Sequence, residues 1–353
     1  MVTLNDIARA CGVSKTTVSR VLNNDSQFSV SAETRELIHS TAASMNYDTE
    51  KRLRSRKKAS KTVSSSAQNP LKIGILSEDY PLSLDKAGNY YAKIFSSLIS
   101  TLSSHPSALQ LQFQYTYKSS YDDLQGLDGL IIIGKLTLDP YHPVIASIKY
   151  KVFVDYVSPD GLFDSVRIDF DDAVNLAISY FQKIGLYDIG FIGSYDHITT
   201  ITSNEQKRTL DSRQIAFENY CYRNHINPKD RVWITETFTS DDGYHLTNQV
   251  IRSGNLPQAL LYASDELALG GYKALQEHKL EIGKDISVIG IDNLSFTNFL
   301  NPPLTTVSLN ISLIGSTAAD ALLSQIEGRS FPLTIHPPIH LIIRSSCKMP
   351  DTF

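Results

Sequence analysis

Residues 3–22 read TLNDIARACGVSKTTVSRVL. The stretch holds two short helical patterns joined by a tight turn. Thr3 and Asp6 stand at capping-box spacing, with Asp6 where Glu or Gln is commoner. Leu4, Ile7, Ala8 and Cys11 follow at i, i+3, i+4 and i+7, the spacing of one apolar helical face. Gly12 is placed to end that helix in the left-handed conformation that glycine enters at little cost. Ser14 can cap the next helix, whose inner face is Val18, Val21 and Leu22. Lys15, Thr16 and Arg20 then point outward, as residue types suited to base edges and phosphates. A third helix is expected from Ala32 to Met45, capped by Ser31, with Leu37, Ile38, Ala42 and Met45 facing inward. The pattern predicts an all-α helix-turn-helix headpiece, a shape that places one helix in the DNA major groove.

Charge agrees with that reading. The net charge of −4 hides a split. Residues 1–62 hold 11 Lys and Arg against 6 Asp and Glu, or +5, and the remainder holds 22 against 31, or −9. A basic head on an acidic body suits a protein that meets DNA at one end. The densest run, Lys51-Arg52-Leu53-Arg54-Ser55-Arg56-Lys57-Lys58, directly follows the helices and is read as a phosphate-contacting segment rather than a merely solvated linker. Residues 59–69, ASKTVSSSAQN, are polar, Ser-rich and aperiodic, the composition of a linker.

After Pro70 short apolar runs alternate with amphipathic stretches of helical length. The runs are Leu71–Leu76, Leu109–Tyr117, Gly129–Ile133, Val152–Asp155, Ile189–Gly193, Ala259–Ala263 and Ile286–Ile291. Helical patterns lie near Tyr90–Leu102, Asp172–Ile184, Ser212–Asn224, Gly243–Ile251 and Glu266–Glu277. This β-α alternation predicts parallel sheets covered by helices on both faces, and the length favours two lobes. Ligands in such sheets bind outside the carboxyl ends of the strands, which places Asp155 and Asp292 near a mouth. Each could equally be a turn or capping carboxylate.

Other functions find little support. Cys11, Cys221 and Cys347 are widely spaced, with neither metal-ligand nor disulfide-framework spacing. No Gly-x-Gly-x-x-Gly follows the first body strand, where Ser77-Glu78-Asp79-Tyr80 stands. No nucleophile, base or metal constellation is evident, so no enzyme activity, metal or cofactor is expected. His142, His245 and His278 read as surface residues. There is no signal-peptide pattern and no apolar run of the ~20 residues needed to span a membrane, so a cytoplasmic location is expected.

The headpiece, above all Val13-Ser14-Lys15-Thr16-Thr17-Val18-Ser19-Arg20-Val21-Leu22-Asn23, resembles that of the LacI/GalR family of bacterial transcription repressors. The body carries similar signposts in Ala263-Ser264-Asp265, Ala268-Leu269-Gly270, Ile286–Asp292 and Pro302–Val307. The resemblance implies a body of two Rossmann-like lobes of the type I periplasmic-binding-protein kind, with three crossings between lobes and an effector in the cleft. The expected domains are a headpiece with hinge over 1–58, a linker over 59–70 and a body over 71–347. Within the body an N-lobe would take about 71–157 plus 293–323, and a C-lobe about 158–292 plus 324–347.

By the same resemblance Lys15, Thr16 and Arg20 would contact bases, while Ser14, Thr17 and Asn23 would hold phosphates. Either Leu53 or Arg56 would enter the minor groove from a hinge helix. Arg213, in Asp211-Ser212-Arg213-Gln214-Ile215-Ala216-Phe217, would sit in the cleft, with Asp292 accepting from effector hydroxyls. Tyr90, Tyr91 and Phe238 match aromatic positions that stack on a sugar, with core packing the rival reading for each. Asp155 and Ser264 complete the implied effector set. The implied protein is a homodimeric repressor of a galactoside operon on a palindromic operator, released or recruited by a small sugar. A non-galactoside or phosphorylated effector, acting even as corepressor, is the alternative.

Overall fold

The computed structural model describes residues 4–22, 30–45, 70–77, 90–106, 109–115, 120–158, 161–201, 203 and 205–348. Expectations for Thr3, Asn23, the hinge with Leu53 and Arg56, and the linker lie outside the described residues. Residues 1–69 and 70–353 form two separate compact units.

In the first unit, α1 (Leu4–Cys11), α2 (Lys15–Leu22) and α3 (Ala32–Ser44) enclose a small core. Ile7, Val18, Val21 and Ile38 are fully buried, with Ala8 and Ala42 nearly so. Gly12 takes φ +66°, as the turn between α1 and α2 requires. The Ser14 hydroxyl accepts from the Thr17 amide at 3.1 Å and caps α2. One expectation fails: Leu37 is 48 % exposed, not inward. Ile38, Ala42 and Met45 follow at i, i+4 and i+7 and define the core face, and Leu37 stands one residue, about 100°, off it.

The body holds two six-stranded sheets. In chain order its first elements are β1 (Leu71–Ser77), α4 (Tyr90–Ser104), β2 (Leu109–Tyr115), β3 (Gly129–Ile133) and β4 (Leu136–Thr137). Then come α5 (Pro143–Ser147), β5 (Tyr150–Val154), β6 (Asp164–Val166), α6 (Phe170–Lys183), β7 (Ile189–Ser194), β8 (Asp196–Thr200) and β9 (Gln206–Thr209). They are followed by α7 (Ser212–Arg223), β10 (Val232–Thr235), α8 (Ser240–Arg252), β11 (Ala259–Tyr262), α9 (Asp265–Glu277) and β12 (Ser287–Asp292). The last are β13 (Thr305–Ser308), α10 (Ile311–Ile326), β14 (Thr334–Ile335) and β15 (His340–Ile342).

Sheet 1, of the N-lobe, runs β14-β6-β5-β3-β1-β2 and is wholly parallel. Sheet 2, of the C-lobe, runs β10-β7-β11-β12-β13-β15, with only β15 antiparallel. Strands such as β3 and β5 are buried at every residue, the mark of a sheet covered on both faces.

The lobes exchange chain at residues 167–169, 309–310 and 336–339, later than the sequence reading of 157/158, 292/293 and 323/324. β6 is still in sheet 1, β13 still in sheet 2 and β14 back in sheet 1. Hydrogen bonding sets the crossings: β6 pairs with β5 from Asp164 to Val166, and β13 pairs with β12 from Thr305 to Ser308, before either strand can leave. The three crossings lie side by side, with the Arg167 amide donating to the Ile335 carbonyl at 3.0 Å and the Asn310 amide group to the Pro338 carbonyl at 2.5 Å.

Helix α10 has no counterpart in the sequence reading. It is apolar on most sides and carries a weak amphipathic signal, because it buries residues from Ile311 to Leu323. Gly315 allows its close approach to α4: a Cβ there would stand 2.1 Å from the Ile94 carbonyl oxygen. Gly270 serves α9 in the same way, its virtual Cβ lying 1.7 Å from the Ser240 carbonyl oxygen of α8.

Candidate functional site

The carboxyl ends of β3, β5, β7, β11 and β12 bring their following residues to the cleft between the lobes. From the N-lobe come Lys135 after β3, Asp155 after β5, and Tyr90 and Tyr91 at the start of α4. From the C-lobe come Asp196 after β7, Asp211 and Arg213 at the start of α7, and Asp292 ending β12.

Arg213 is buried, and its guanidinium is held on several sides. Nε donates to Asp211 Oδ1 at 2.8 Å, Nη2 to Asp211 Oδ2 at 2.7 Å and Nη1 to the Ala263 carbonyl at 2.7 Å. The Phe170 and Phe238 rings lie against it, with centroids 4.7 and 4.6 Å from Cζ. Asp211 also caps α7, accepting from the Arg213 amide at 2.7 Å. Burial alone would raise the Asp211 carboxyl, but the Arg213 charge and hydrogen bonds hold it well below the usual carboxylate range. A guanidinium has five N–H groups, so two remain beyond these bonds among the described residues.

Asp155 is left-handed at φ +64°. Its Oδ1 accepts from the Tyr90 hydroxyl at 3.0 Å and its Oδ2 from the Tyr91 hydroxyl at 3.1 Å. Burial pushes this carboxyl up, with Lys135 and the two hydroxyls pulling against it. Tyr90 and Tyr91 pack edge to face at 5.2 Å.

Asp292 differs. It is half-buried at φ +119°, where a side chain is strained. Among the described residues nothing donates a hydrogen bond to its carboxylate. Burial, with the Asp265 charge next, pushes its carboxyl well above the ordinary range. Asp265 is fixed beneath it, accepting from the Leu294 amide at 2.8 Å and the Thr306 hydroxyl at 2.7 Å. A cavity of about 470 Å³ opens beside Asp292, lined also by Lys93, Asn293, Ser308 and Asn310.

Lys135 reaches across from the N-lobe to Asp196 Oδ1 at 2.5 Å, with Asp211 Oδ2 at 3.9 Å. Burial raises the Asp196 carboxyl to about 6 despite that partner. Four carboxyl groups (Asp155, Asp196, Asp211, Asp292) thus share the cleft with two cations (Lys135, Arg213), and burial leaves all of them but Asp211 raised.

The fold therefore brings Tyr90, Tyr91 and Asp155 into one hydrogen-bonded group, and Arg213 against Phe238, with Asp292 near both. The Phe238 ring is engaged by Arg213. Ser264 spends its hydroxyl oxygen on the Leu267 amide at 3.2 Å as the cap of α9. Lys135, Asp196, Asp211 and Phe170 were missed as site residues. Asp211 stood at the head of the Asp211–Phe217 motif and Lys135 two residues past the Gly129–Ile133 run, but Asp196 belongs to a hairpin with no apolar alternation to announce it. In the headpiece, Lys15, Thr16 and Arg20 of α2 are exposed together, and the Ser14 and Thr17 hydroxyls lie 2.8 Å apart at its start. None of these described residues forms a group of three or more metal-ligating side chains, and no described helix is long and apolar enough to cross a membrane.

A helix-turn-helix unit joined to a two-lobed α/β body with a polar inter-lobe cleft is the architecture of a DNA-binding regulator. Residues 3–50 match the model of the bacterial regulatory proteins of the lacI family, and residues 178–347 match the periplasmic binding protein-like domain. The HTH-type transcriptional regulator GalR of Lacticaseibacillus casei is 31 % identical, with 98 % of this chain and 99 % of that one covered. The Lactose operon repressor of Escherichia coli (strain K12) is 26 % identical over 99 % of this chain and 92 % of its own. The crystal structure of the Lac repressor dimer bound to operator and the anti-inducer ONPF superposes with a TM-score of 0.64, at 25 % identity and 99 % coverage of both chains. The chain belongs to the LacI/GalR family of transcription regulators.

Proposed function

We propose that this protein is a homodimeric repressor of a galactoside-utilisation operon, whose affinity for a palindromic operator is set by an uncharged sugar in the inter-lobe cleft. The observation that carries the effector reading is the Asp292 carboxyl group: half-buried beside the cavity, strained, and without a donor among the described residues. Such a group gains most from ligand hydroxyls that donate to it. The two spare N–H groups of Arg213 supply the complementary donors, and Tyr90 and Tyr91 offer aromatic edges and faces.

The charge balance bears on effector class. A phosphate or carboxylate would find both cations already paired, Lys135 with Asp196 and Arg213 with Asp211. A neutral glycoside needs no free cation. The galactoside part rests on relatives such as the Lactose operon repressor. On the DNA side Lys15, Thr16 and Arg20 are assigned to bases and Ser14, Thr17 and Asn23 to phosphates, with Leu53 or Arg56 in the minor groove. Ligand then acts by differential affinity for two arrangements of the lobes.

The test is operator binding by fluorescence anisotropy at fixed salt, with the DNA upstream of the protein's own gene. The panel is galactose, lactose, melibiose, glucose, galactose 1-phosphate and galactose 6-phosphate. A change of affinity with a neutral galactoside and none with the phosphates is expected. A response confined to the phosphates would overturn the effector class, and tighter binding with sugar would make the ligand a corepressor.

A further inference from the structure

The connection between β7 and α7 is a hairpin, β8–β9, whose residues face both lobes. Its first strand leaves its own lobe and pairs in parallel with β4 of the N-lobe, Leu136 opposite Thr199 and Thr137 opposite Thr200. The Thr199 amide donates to the Lys135 carbonyl at 2.9 Å, and the Ile201 amide to the Thr137 carbonyl at 3.2 Å. Ile201 is 1 % exposed and belongs to the N-lobe core that holds Leu136, Leu138 and Phe153. Lys135 and Asp196 add an ion pair at the same junction. The foot of the hairpin stays on the C-lobe, where Arg208 bonds Glu236 at 2.8 Å and lies 4.4 Å over the Tyr195 ring.

Its place in the sheets matters. In sheet 1 the crossing strand is β6, the next is β5, which carries Asp155, and the one after is β3, which leads to β4. In sheet 2 the crossing strand is β13, the next is β12, which carries Asp292, and the hairpin springs from β7, two strands further. At about 4.8 Å per strand, the hairpin ties the lobes some 10–14 Å from the crossings. The two carboxylates lie between the crossings and the tie.

We infer that the β8–β9 hairpin is a clasp that fastens the two lobes across the cleft on the side away from the crossings, and that it must open for effector to enter and leave. The lobes cannot part there without breaking two backbone hydrogen bonds and the ion pairs of Lys135 with Asp196 and Asp211, and withdrawing Ile201 from the N-lobe core. Because β9 runs directly into Asp211 and Arg213, opening the clasp also moves the chain that carries the effector arginine. The part concerning entry rests on the cleft reading above.

The experiment uses the full chain, wild type and two single variants, one on each side of the junction: Ile201→Ser in the hairpin and Leu138→Ser in the N-lobe. Hydrogen exchange by mass spectrometry reads the Thr199 and Ile201 amides and the segment 135–138. The clasp requires coupling across the lobes. Leu138→Ser should speed exchange at Thr199 and Ile201 about tenfold, and Ile201→Ser should do the same for 135–138, with β12 and α9 unchanged. Changes confined to each variant's own segment would overturn the inference. If either variant loosens the whole body, the milder truncation at the same position, Ile201→Val or Leu138→Val, replaces it with the same expected and opposing results. Stopped-flow release of operator by galactose, lactose or melibiose should be about threefold faster in both variants, and equal rates would overturn the gating role. Failure of every sugar on the wild type would sink the galactoside reading, while the exchange result still decides the clasp.

Discussion

Replacing Asp292 by Gly, Asn and Ala separates what the residue costs the fold from what it does for a ligand. At φ +119° a side chain costs about 1–3 kcal/mol, whereas glycine adopts the conformation freely. Glycine loses roughly 0.5–1 kcal/mol through the greater freedom of the unfolded chain. The net is a gain of about 1 kcal/mol for Asp292→Gly, and removing a carboxylate that burial and Asp265 already disfavour acts in the same direction. For a body of this size that is a rise of roughly 2–4 °C in Tm. Asp292→Asn keeps the shape and tolerates positive φ, and should fall between glycine and wild type. Asp292→Ala keeps the strain without the charge and should melt below the glycine variant. Calorimetry of the full chain reads the series, and operator anisotropy with the sugar panel reads function. All three variants should bind operator within about twofold of wild type yet lose the sugar response. A glycine variant melting several degrees below wild type would refute the strain argument, since the carboxylate would then be holding the fold together. Retention of the response at the same sugar concentration would remove Asp292 from the ligand site.

Arg20→Ala should weaken operator binding by about 1–3 kcal/mol, roughly five- to more than hundredfold, with sugar affinity unchanged by isothermal titration; equal operator affinity would take Arg20 off the reading surface. Arg213→Ala should cost more than the ligand response, because it leaves the buried Asp211 charge without its partner; a loss of about 3–5 kcal/mol in denaturant unfolding is expected, and Asp211→Asn in the same chain should restore part of it. Asp265, pushed up by burial to about 7, binds its proton more tightly folded than unfolded, so its contribution is full below about pH 4 and is lost as pH rises through about 7. Thermal stability should therefore fall between about pH 4 and 7, and Asp265→Asn should flatten that slope; parallel slopes would contradict it. Gly270→Ala should destabilise the body by about 1–3 kcal/mol through the Ser240 carbonyl of α8, measured by calorimetry, and a neutral result would mean that the α8–α9 crossing can relax.

Much of this protein was written locally. The headpiece was legible because cap, apolar spacing, turn glycine and basic outer face all lie within twenty residues, and each is a short-range effect. The central strands were legible because strands buried on both faces need continuous apolar runs. Helix α10 escaped for the opposite reason: buried on most sides, it has little polar face to make a period visible. Leu37 was misplaced because its neighbour Ile38, one residue along, takes the core position.

Sequence by itself determined the two units, the α/β class of the body and the residue types available at the cleft, since local periodicity and charge set these. Only tertiary structure decided where the lobes exchange chain, because strand pairing between distant segments holds β6, β13 and β14 in their sheets. It also decided that Asp155 is satisfied by two tyrosines while Asp292 is left without a donor among the described residues, and that Arg213 is neutralised by its own cap. The cross-lobe clasp belongs to the same category. A polar hairpin of ordinary composition acquires its role only when Lys135 and Ile201, 66 positions apart in the chain, are brought to one junction by two separately folded sheets.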